Sequence, residues 1–377
     1  YDLVVKDDDL VIETHGRSFW ILDDVTPLRQ FDPSTLAGPA YLFTPRPTVR
    51  FKTYPGFGSE VPNTVSYRWA GPIVYAAWVT ERPTGVKEAR PLDAGENPPD
   101  GAIVTYYLAE EPAEVTLTIL DAEGRELRRF SSEKPVDPYP DIPEEKKPSL
   151  PPRLDKTPGF HRFVWDLRVE GARRVIGDKP YEGYLVGPRV VPGMYQVRLT
   201  VGDHSWTQPL EIRIDPRLTV TREDLERQFD LLLRIRDKVS EAHDAINRLR
   251  DARHQLDEWQ RRLEASNGAD ELLESVRAMR DRLGSLIDEL LEPRMDDPRQ
   301  FPWRAPARLA ALQSFVDSAD DRPTAAEEAV YHELAAEIDA ILARVRQALE
   351  EELPALGRRL LEAGVSPILP RPALARP

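Results

Sequence analysis

Near Thr221 the spacing of apolar residues changes from about two to about three and a half, which divides the chain into a β part and an α part. Leu225, Leu232, Val239 and Ile246 recur every seven residues, and so do Ile235, Ala242, Leu249, Leu256 and Leu263. Such a recurrence keeps one stripe of a helix apolar along its length, so the spacing predicts a coiled-coil seam of about 40 residues. Thr221-Arg222-Glu223-Asp224 reads as its capping box. Asn267-Gly268 breaks the pattern; Leu272, Val276, Met279, Leu283, Leu286 and Leu290 resume it up to Pro293, which predicts an antiparallel helical hairpin. A third helix over 306–318 and a fourth over 324–353, carrying Leu334, Ile338, Ile341, Val345 and Leu349, complete a bundle. Asp320-Asp321-Arg322-Pro323-Thr324 marks the start of the last one.

Upstream, six segments alternate or run apolar as strands do: 102–108, 114–120, 126–130, 160–167, 194–201 and 207–214. Asp121-Ala122-Glu123-Gly124 and Gly202-Asp203-His204-Ser205 supply tight turns between them. A small antiparallel sandwich buries such faces. The insertions 131–158 and 170–192, rich in Pro and charge, are expected as exposed loops lying against a neighbour.

The first 98 residues are less regular. Leu10-Val11-Ile12 and Phe19-Trp20-Ile21-Leu22 are β-prone runs joined by Thr14-His15-Gly16-Arg17-Ser18. Two strands do not stand alone in water, and the rest of the chain offers this pair no evident partner strands. The Pro-punctuated stretch that follows, with Tyr41-Leu42-Phe43-Thr44-Pro45-Arg46-Pro47 and the strand-like Tyr67-Arg68-Trp69, is expected as a strap on another body. The domains expected are therefore 1–98 (hairpin and strap), 99–216 (sandwich), 217–365 (helical hairpin and bundle) and 366–377 (Pro-rich tail).

Composition narrows the chemistry. The 377 residues are 41% hydrophobic and 31% charged, with no apolar run long enough for a membrane helix. The absence of cysteine excludes disulfides, thiol catalysis and cysteine-held zinc. A net charge of −14 opposes nonspecific nucleic-acid binding, which needs clustered Lys and Arg. Of the 51 basic residues 9 are Lys, a bias that fits a GC-rich genome. The 36 prolines gather in the connections and stiffen them.

The phrase DLVIETHGRSFWILDD, over 9–24, resembles the closing blade of the bacterial sortilin-like, BNR-repeat β-propeller proteins, often labelled glycosyl hydrolases. DPRLTVTREDLERQFDLLLRIRD (215–237) and ELPALGRRLLEAGVSPI (352–368) resemble the tail that follows the propeller in that family. Between them, VTLTILDAEGRELRRF, GFHRFVWDLR and PGMYQVRLTV are similar to the Ig-like repeat of flagellar-hook capping proteins; the residues that carry the likeness are Asp121, Gly124, Gly159, His161, Trp165, Asp166, Gly193 and Tyr195. Each has a structural use: Gly124 and Gly193 for turn dihedrals, Trp165 and Tyr195 for core. The resemblance implies a multidomain β plus α chain made of terminal propeller strands, an Ig-like or fibronectin-like sandwich and a helical bundle. It also implies an extracellular or periplasmic location, although no signal peptide precedes Tyr1.

Sequence motifs for catalysis are lacking. A BNR-type glycosidase needs a carboxylate pair at the propeller centre, and this chain supplies only Glu13, His15, Arg17, Asp23 and Asp24 from such a region. Asp23 and Asp24 read as turn residues. Asp7-Asp8-Asp9 lacks the spaced ligands and glycine of a calcium loop and reads as a solvated turn. His243 and His254 are 11 residues apart, too far for shared coordination on one helix, and His161, His204 and His332 have no companion at ligand spacing. No catalytic, cofactor or metal residue is assigned. The expected function is a noncatalytic C-terminal module whose partner is the upstream propeller portion, or a separate propeller chain, and whose seam offers a surface for a second copy. The alternative is an accessory part of a glycoside hydrolase that orients polysaccharide, for which Trp69, Trp78, Trp206, Trp259 and Trp303 are the residues to test.

Overall fold

The computed structural model describes residues 2–16, 18–52, 58–59, 61–70, 73–81, 87–92, 98–137, 151–177, 185–264, 270–292 and 303–364. It contains both β-sheets and helices and divides into two compact units, one within Tyr1–Asp137, Pro143–Glu170 and Pro188–Phe229, the other within Pro138–Ile142, Gly171–Gly187 and Asp230–Pro377. The expected break at Asn267-Gly268, the helix end at Pro293 and the tail 366–377 lie outside the described residues.

The first unit opens with a three-stranded meander, β1 (Leu3–Lys6), β2 (Asp9–Glu13) and β3 (Phe19–Leu22). The hairpin expected over 10–22 is present, and β1 gives it a third strand from the chain itself. Lys6 pairs with Asp9, so Asp7 and Asp8 form a two-residue turn; Asp7 takes the positive φ of 55° that such turns require and that a short polar side chain tolerates. A short helix α1 (Thr26–Gln30) follows.

The strap then contributes one strand to each of two larger sheets. β4 (Ala40–Leu42) and β5 (Thr48–Arg50) precede a separate antiparallel sheet of β6 (Thr64–Ala70), β7 (Ile73–Glu81) and β8 (Lys87–Pro91). Next come β9 (Ala102–Leu108), β10 (Val115–Leu120), β11 (Glu126–Ser131), β12 (Gly159–Trp165), β13 (Gly193–Val201) and β14 (His204–Ile214). One sheet has the order β11-β10-β13-β14-β5 and the other β12-β9-β4. β5 joins parallel to β14 and β4 antiparallel to β9, so residues 40–50 lie on both sheets.

Aromatic residues close the space between these two sheets. Trp165 of β12 is wholly buried, edge-on to Tyr195 of β13 at 6.3 Å, and Phe130 of β11 lies 4.7 Å from Phe163 of β12. The Trp165 indole donates to the Arg168 carbonyl at 2.9 Å, which satisfies its one polar atom. Gly101 is indispensable: its φ is +148° and a Cβ there would stand 2.2 Å from the Trp165 carbonyl oxygen. Gly124 has the expected left-handed φ of 83°. Gly193 does not; it opens β13 opposite Ile212, a position that needs no left-handed residue. Leu167, buried, holds φ 59°, a strained conformation for a bulky residue, fixed by its carbonyl accepting from Val190 at 2.7 Å and by Trp165 beside it.

A buried cation ties this unit together. Arg50, 2% exposed, donates to the Val190 carbonyl at 2.9 Å and to Gln228 Oε1 at 3.1 Å. Gln228 stands on the first turns of α2 (Arg222–Glu264). That helix begins as expected: Thr221 Oγ1 accepts from the Asp224 amide at 3.2 Å, and Asp224 answers by accepting from the Thr221 amide at 3.2 Å.

The second unit contains the rest of α2 with α3 (Asp270–Leu290), α4 (Ala305–Val316), α5 (Ala325–Gln347) and α6 (Leu353–Glu362). Leu232, Ile235, Val239, Ala242, Ile246, Leu249, Leu256 and Leu263 are all in its core. α2 and α3 run antiparallel, as the ion pairs of Arg280 with Asp257 and of Arg277 with Glu264 show. Thr324 and Glu327 cap α5 reciprocally. The single last helix expected to 353 is instead α5, a π-helical turn over Ala348–Glu352, and α6. Pro354 explains it: proline has no N–H for the Glu350 carbonyl and its ring would clash there, so the preceding turn widens.

Part of the insertion expected as an exposed loop lies along α2 in this second unit. The Arg173 amide donates to Ser240 Oγ at 3.1 Å, and the His243 ring contacts the Arg173 carbonyl at 2.6 Å. Asn247 donates to the Arg174 carbonyl and accepts from the Ile176 amide, both at 3.0 Å. Val175, fully buried, sits in the helical core. Ser240, His243, Asp244, Asn247 and Arg250 thus form a polar stripe at helical spacing that satisfies an extended backbone.

Candidate interaction surface

The β1–β3 meander has one wholly apolar face and one face of mixed character, and water reaches both. Residues opposite one another in a sheet share a face, so Leu3, Ile12 and Trp20 lie on one side with Val5, Leu10 and Leu22. Val4, Val11, Phe19 and Ile21 lie on the other, together with the charged Lys6, Asp9 and Glu13. Phe19 is 68%, Trp20 64% and Ile21 61% exposed, and Leu3, Val4, Val5 and Leu22 are each about half exposed or more. Apolar side chains exposed together in this way make a candidate surface for association.

Charge fastens this sheet to its own unit. Asp8 accepts from Arg29 of α1 at 2.5 Å, and Arg29 also donates to the Asp7 carbonyl at 2.8 Å. Asp9 accepts from Arg46 at 2.8 Å and from the Asp24 amide at 2.9 Å. The run Asp7-Asp8-Asp9 makes the turn expected, with Asp7 exposed, while the Asp8 and Asp9 carboxylates also form a clamp with two guanidinium groups brought in by chain folding. Asp24 closes a turn, accepting from the Thr26 amide at 3.1 Å. Glu13 and His15 are exposed, Asp23 is half-buried, and Arg17 lies outside the described residues.

A second surface is aromatic on one face only. Val65, Tyr67 and Trp69 of β6 share a side with Val74, Ala76 and Trp78 of β7, since Val65 is opposite Trp78 and Trp69 opposite Val74. Tyr67 is 70%, Trp69 60% and Trp78 40% exposed. Arg90, opposite Trp78, edges this face. The reverse face carries Ser66, Arg68, Ala77 and Val79, all buried. Of the other tryptophans in question, Trp206 and Trp303 are partly buried and Trp259 is buried in the helical core.

The remaining polar residues picked from the sequence are engaged in structure. Asp121 accepts from the Arg125 amide at 2.8 Å and its guanidinium at 2.6 Å; burial pushes its carboxyl up, but these bonds outweigh it and leave it below the usual range. Tyr195 donates to the Val191 carbonyl at 2.6 Å, and burial pushes its hydroxyl up to about 12. Asp166 accepts from Arg128 at 2.8 Å. Gly159 opens β12. His161 contacts the Thr157 carbonyl at 2.6 Å and lies against Tyr106, whose hydroxyl holds the Asp155 carbonyl. Desolvation raises the Asp155 carboxyl, and the Thr157 bonds with the His161 ring more than offset it. His204 stacks on Trp206, His332 lies 4.0 Å from Glu328, and His243 is on the polar stripe; His254 is on α2. No group of three metal-ligating side chains converges among the described residues.

Pattern reading missed β1 and the alignment of Tyr67 with Trp78 on one exposed face. Leu3-Val4-Val5 precedes three aspartates that read as solvent, and Tyr67 joins Trp78 only through strand register.

No family model matches this chain, and no curated protein matches it. Among solved structures, CopC from Methylosinus trichosporium OB3b matches at 14% identity over 32% of this chain and 81% of that one, with a TM-score of 0.16. No helix among the described residues is long and apolar enough to cross a membrane.

Proposed function

We propose that this chain is a noncatalytic structural and interaction module that supports a sortilin-like β-propeller at its C-terminal side, outside the cytoplasm. The observation that carries this reading is the β1–β3 meander, whose apolar residues are exposed on both faces, one face apolar throughout and the other shared with Lys6, Asp9 and Glu13. A sheet that stays in water keeps its apolar residues to one covered face; one that exposes them on both sides is suited to lie between two other layers. Propeller blades flank one another in that manner, and the family resemblance of residues 9–24 points the same way. In this reading the two-sheet body is an Ig-like sandwich that carries the meander, and α2 with α3 is a coiled-coil hairpin whose seam is packed inside the helical unit. The propeller portion, produced separately, tests it by sedimentation velocity with the full chain. A complex that Trp20→Asp abolishes is expected; absence of a complex, or one indifferent to that substitution, overturns the reading.

A second reading has one observation in its favour: Tyr67, Trp69 and Trp78 share an exposed face. Rings in a row beside Arg90 suit stacking on sugar rings, as an accessory part of a glycoside hydrolase would use. Retention on insoluble cellulose that Trp69→Ala and Trp78→Ala both remove supports it, and passage of the unaltered chain without retention rejects it.

A further inference from the structure

Residues 173–177 have no strand partner among the described residues; side chains on one face of α2 hold them instead. Ser240 Oγ accepts from the Arg173 amide, the His243 ring contacts the Arg173 carbonyl, and Asn247 bonds the Arg174 carbonyl and the Ile176 amide. Arg250 donates to the Ile176 carbonyl at 3.2 Å. The Arg173 guanidinium also pairs with Asp244 through Nε and Nη2, and both of these side chains are nearly half exposed. The segment is bounded at each end. Before it, the Ala172 amide donates to the Leu185 carbonyl at 3.1 Å and closes the root of the excursion; after it, Gly177 turns the chain at φ +73°.

One apolar side chain anchors this stretch. Val175 is fully buried, whereas Arg173, Ile176 and Gly177 are exposed. The cluster that Val175 joins comes almost wholly from the helices, so its departure leaves their own seam in place. The remaining attachments are polar, and a polar contact that opens exchanges its partner for water on both sides. An apolar seam has no such exchange, which makes the helices the harder part to separate. We infer that residues 173–177 form a latch that opens from α2 as one unit while the helical core stays folded, with Val175 as the plug. Ser240 and His243 are 2% and 1% exposed when it is closed, and opening bares them together with the slot that Val175 fills. The latch thus sets what this face of α2 presents to water and solutes.

Native-state hydrogen exchange of the full chain, read by NMR at rising urea below the unfolding transition, tests the latch. The Arg173 and Ile176 amides are expected to exchange at least about a hundredfold faster than the most protected α2 amides, at rates nearly independent of urea. Opening as a unit is tested by Asn247→Ala, since Asn247 bonds Arg174 and Ile176 but not the Arg173 amide. Its expected effect is an Arg173 amide about tenfold faster, and Ser240→Ala is expected to speed the Ile176 amide about fivefold in return. Latch amides whose exchange rises with urea in step with the α2 amides overturn the inference, because 173–177 then leaves α2 only when the helices unfold. An Arg173 amide unmoved by Asn247→Ala overturns it too, since the contacts then open one by one. The urea series on the unsubstituted chain decides the first point even where a variant fails to fold.

Discussion

Trp165 and Trp20 both stand on antiparallel strands of the same compact unit, yet one is wholly buried and the other 64% exposed. The difference lies in what each sheet faces. Trp165 lies between two sheets whose apolar sides meet, with its indole N–H satisfied. Trp20 belongs to a sheet whose apolar side chains stay open to water: Phe19, Trp20 and Ile21 are each more than 60% exposed. The comparison teaches that residue type alone does not mark core: the same ring is packed inside in one place and open to water in the other.

Substitution at the two positions separates these roles most strongly. Trp165→Ala is expected to cost about 3–5 kcal/mol, from lost burial and the cavity left behind. Trp20→Ala is expected to shift the stability of the free chain by less than about 0.5 kcal/mol, as exposed positions do. Urea denaturation of the two variants checks this, and equal losses would break the comparison.

The arginines repeat the contrast at smaller scale. Arg50→Met leaves the Gln228 amide and the Val190 carbonyl inside the unit without their donor, at a cost of about 2–3 kcal/mol. Arg46→Met removes a partly exposed pair with Asp9 and is expected to cost under about 1 kcal/mol globally. Its effect should appear as faster hydrogen exchange confined to β1–β3, where the clamp acts.

Much of the two-sheet body and the helices was legible because local pattern determined them. The six strands of the body, the antiparallel α2–α3 pair and the caps at Thr221 and Thr324 follow from alternation, heptads and side-chain oxygen chemistry within a few residues. What pattern could not supply was long-range pairing. Nothing local in Tyr41 or Val49 says that β4 will join β9 or that β5 will run parallel to β14 across more than 160 residues of chain. Nor does Val175 announce that it will fill a helical core. The exposed meander was half legible: β2 and β3 were visible as strands, whereas β1 and the Arg29 and Arg46 clamp depend on contacts between distant residues.

The smallest expected effect concerns Asp215, just before α2. Side-chain hydrogen bonds from Arg217, and then its backbone N–H, hold the Asp215 carboxyl down at about 2, against an ordinary 3.8. A carboxyl depressed in the folded state contributes stability above its unfolded value and loses it as pH falls toward the folded one. Between pH about 4 and about 2, Asp215→Asn should therefore lose stability less steeply than the parent. Parallel acid-limb slopes in urea titrations would contradict the assignment. The effect is modest because Arg217 is well exposed and water screens the pair.

Fluorine NMR of the chain labelled with 5-fluorotryptophan reads all seven tryptophans in one sample, with Trp20 and Trp165 assigned by single Phe replacements. The solvent-isotope shift of each resonance reports its contact with water. The account predicts that Trp20 shows a large shift in the free chain and loses it when the propeller portion is added, while Trp165 shows none in either state. A Trp20 already shielded in the free chain, or one that stays water-exposed in the complex, would contradict it.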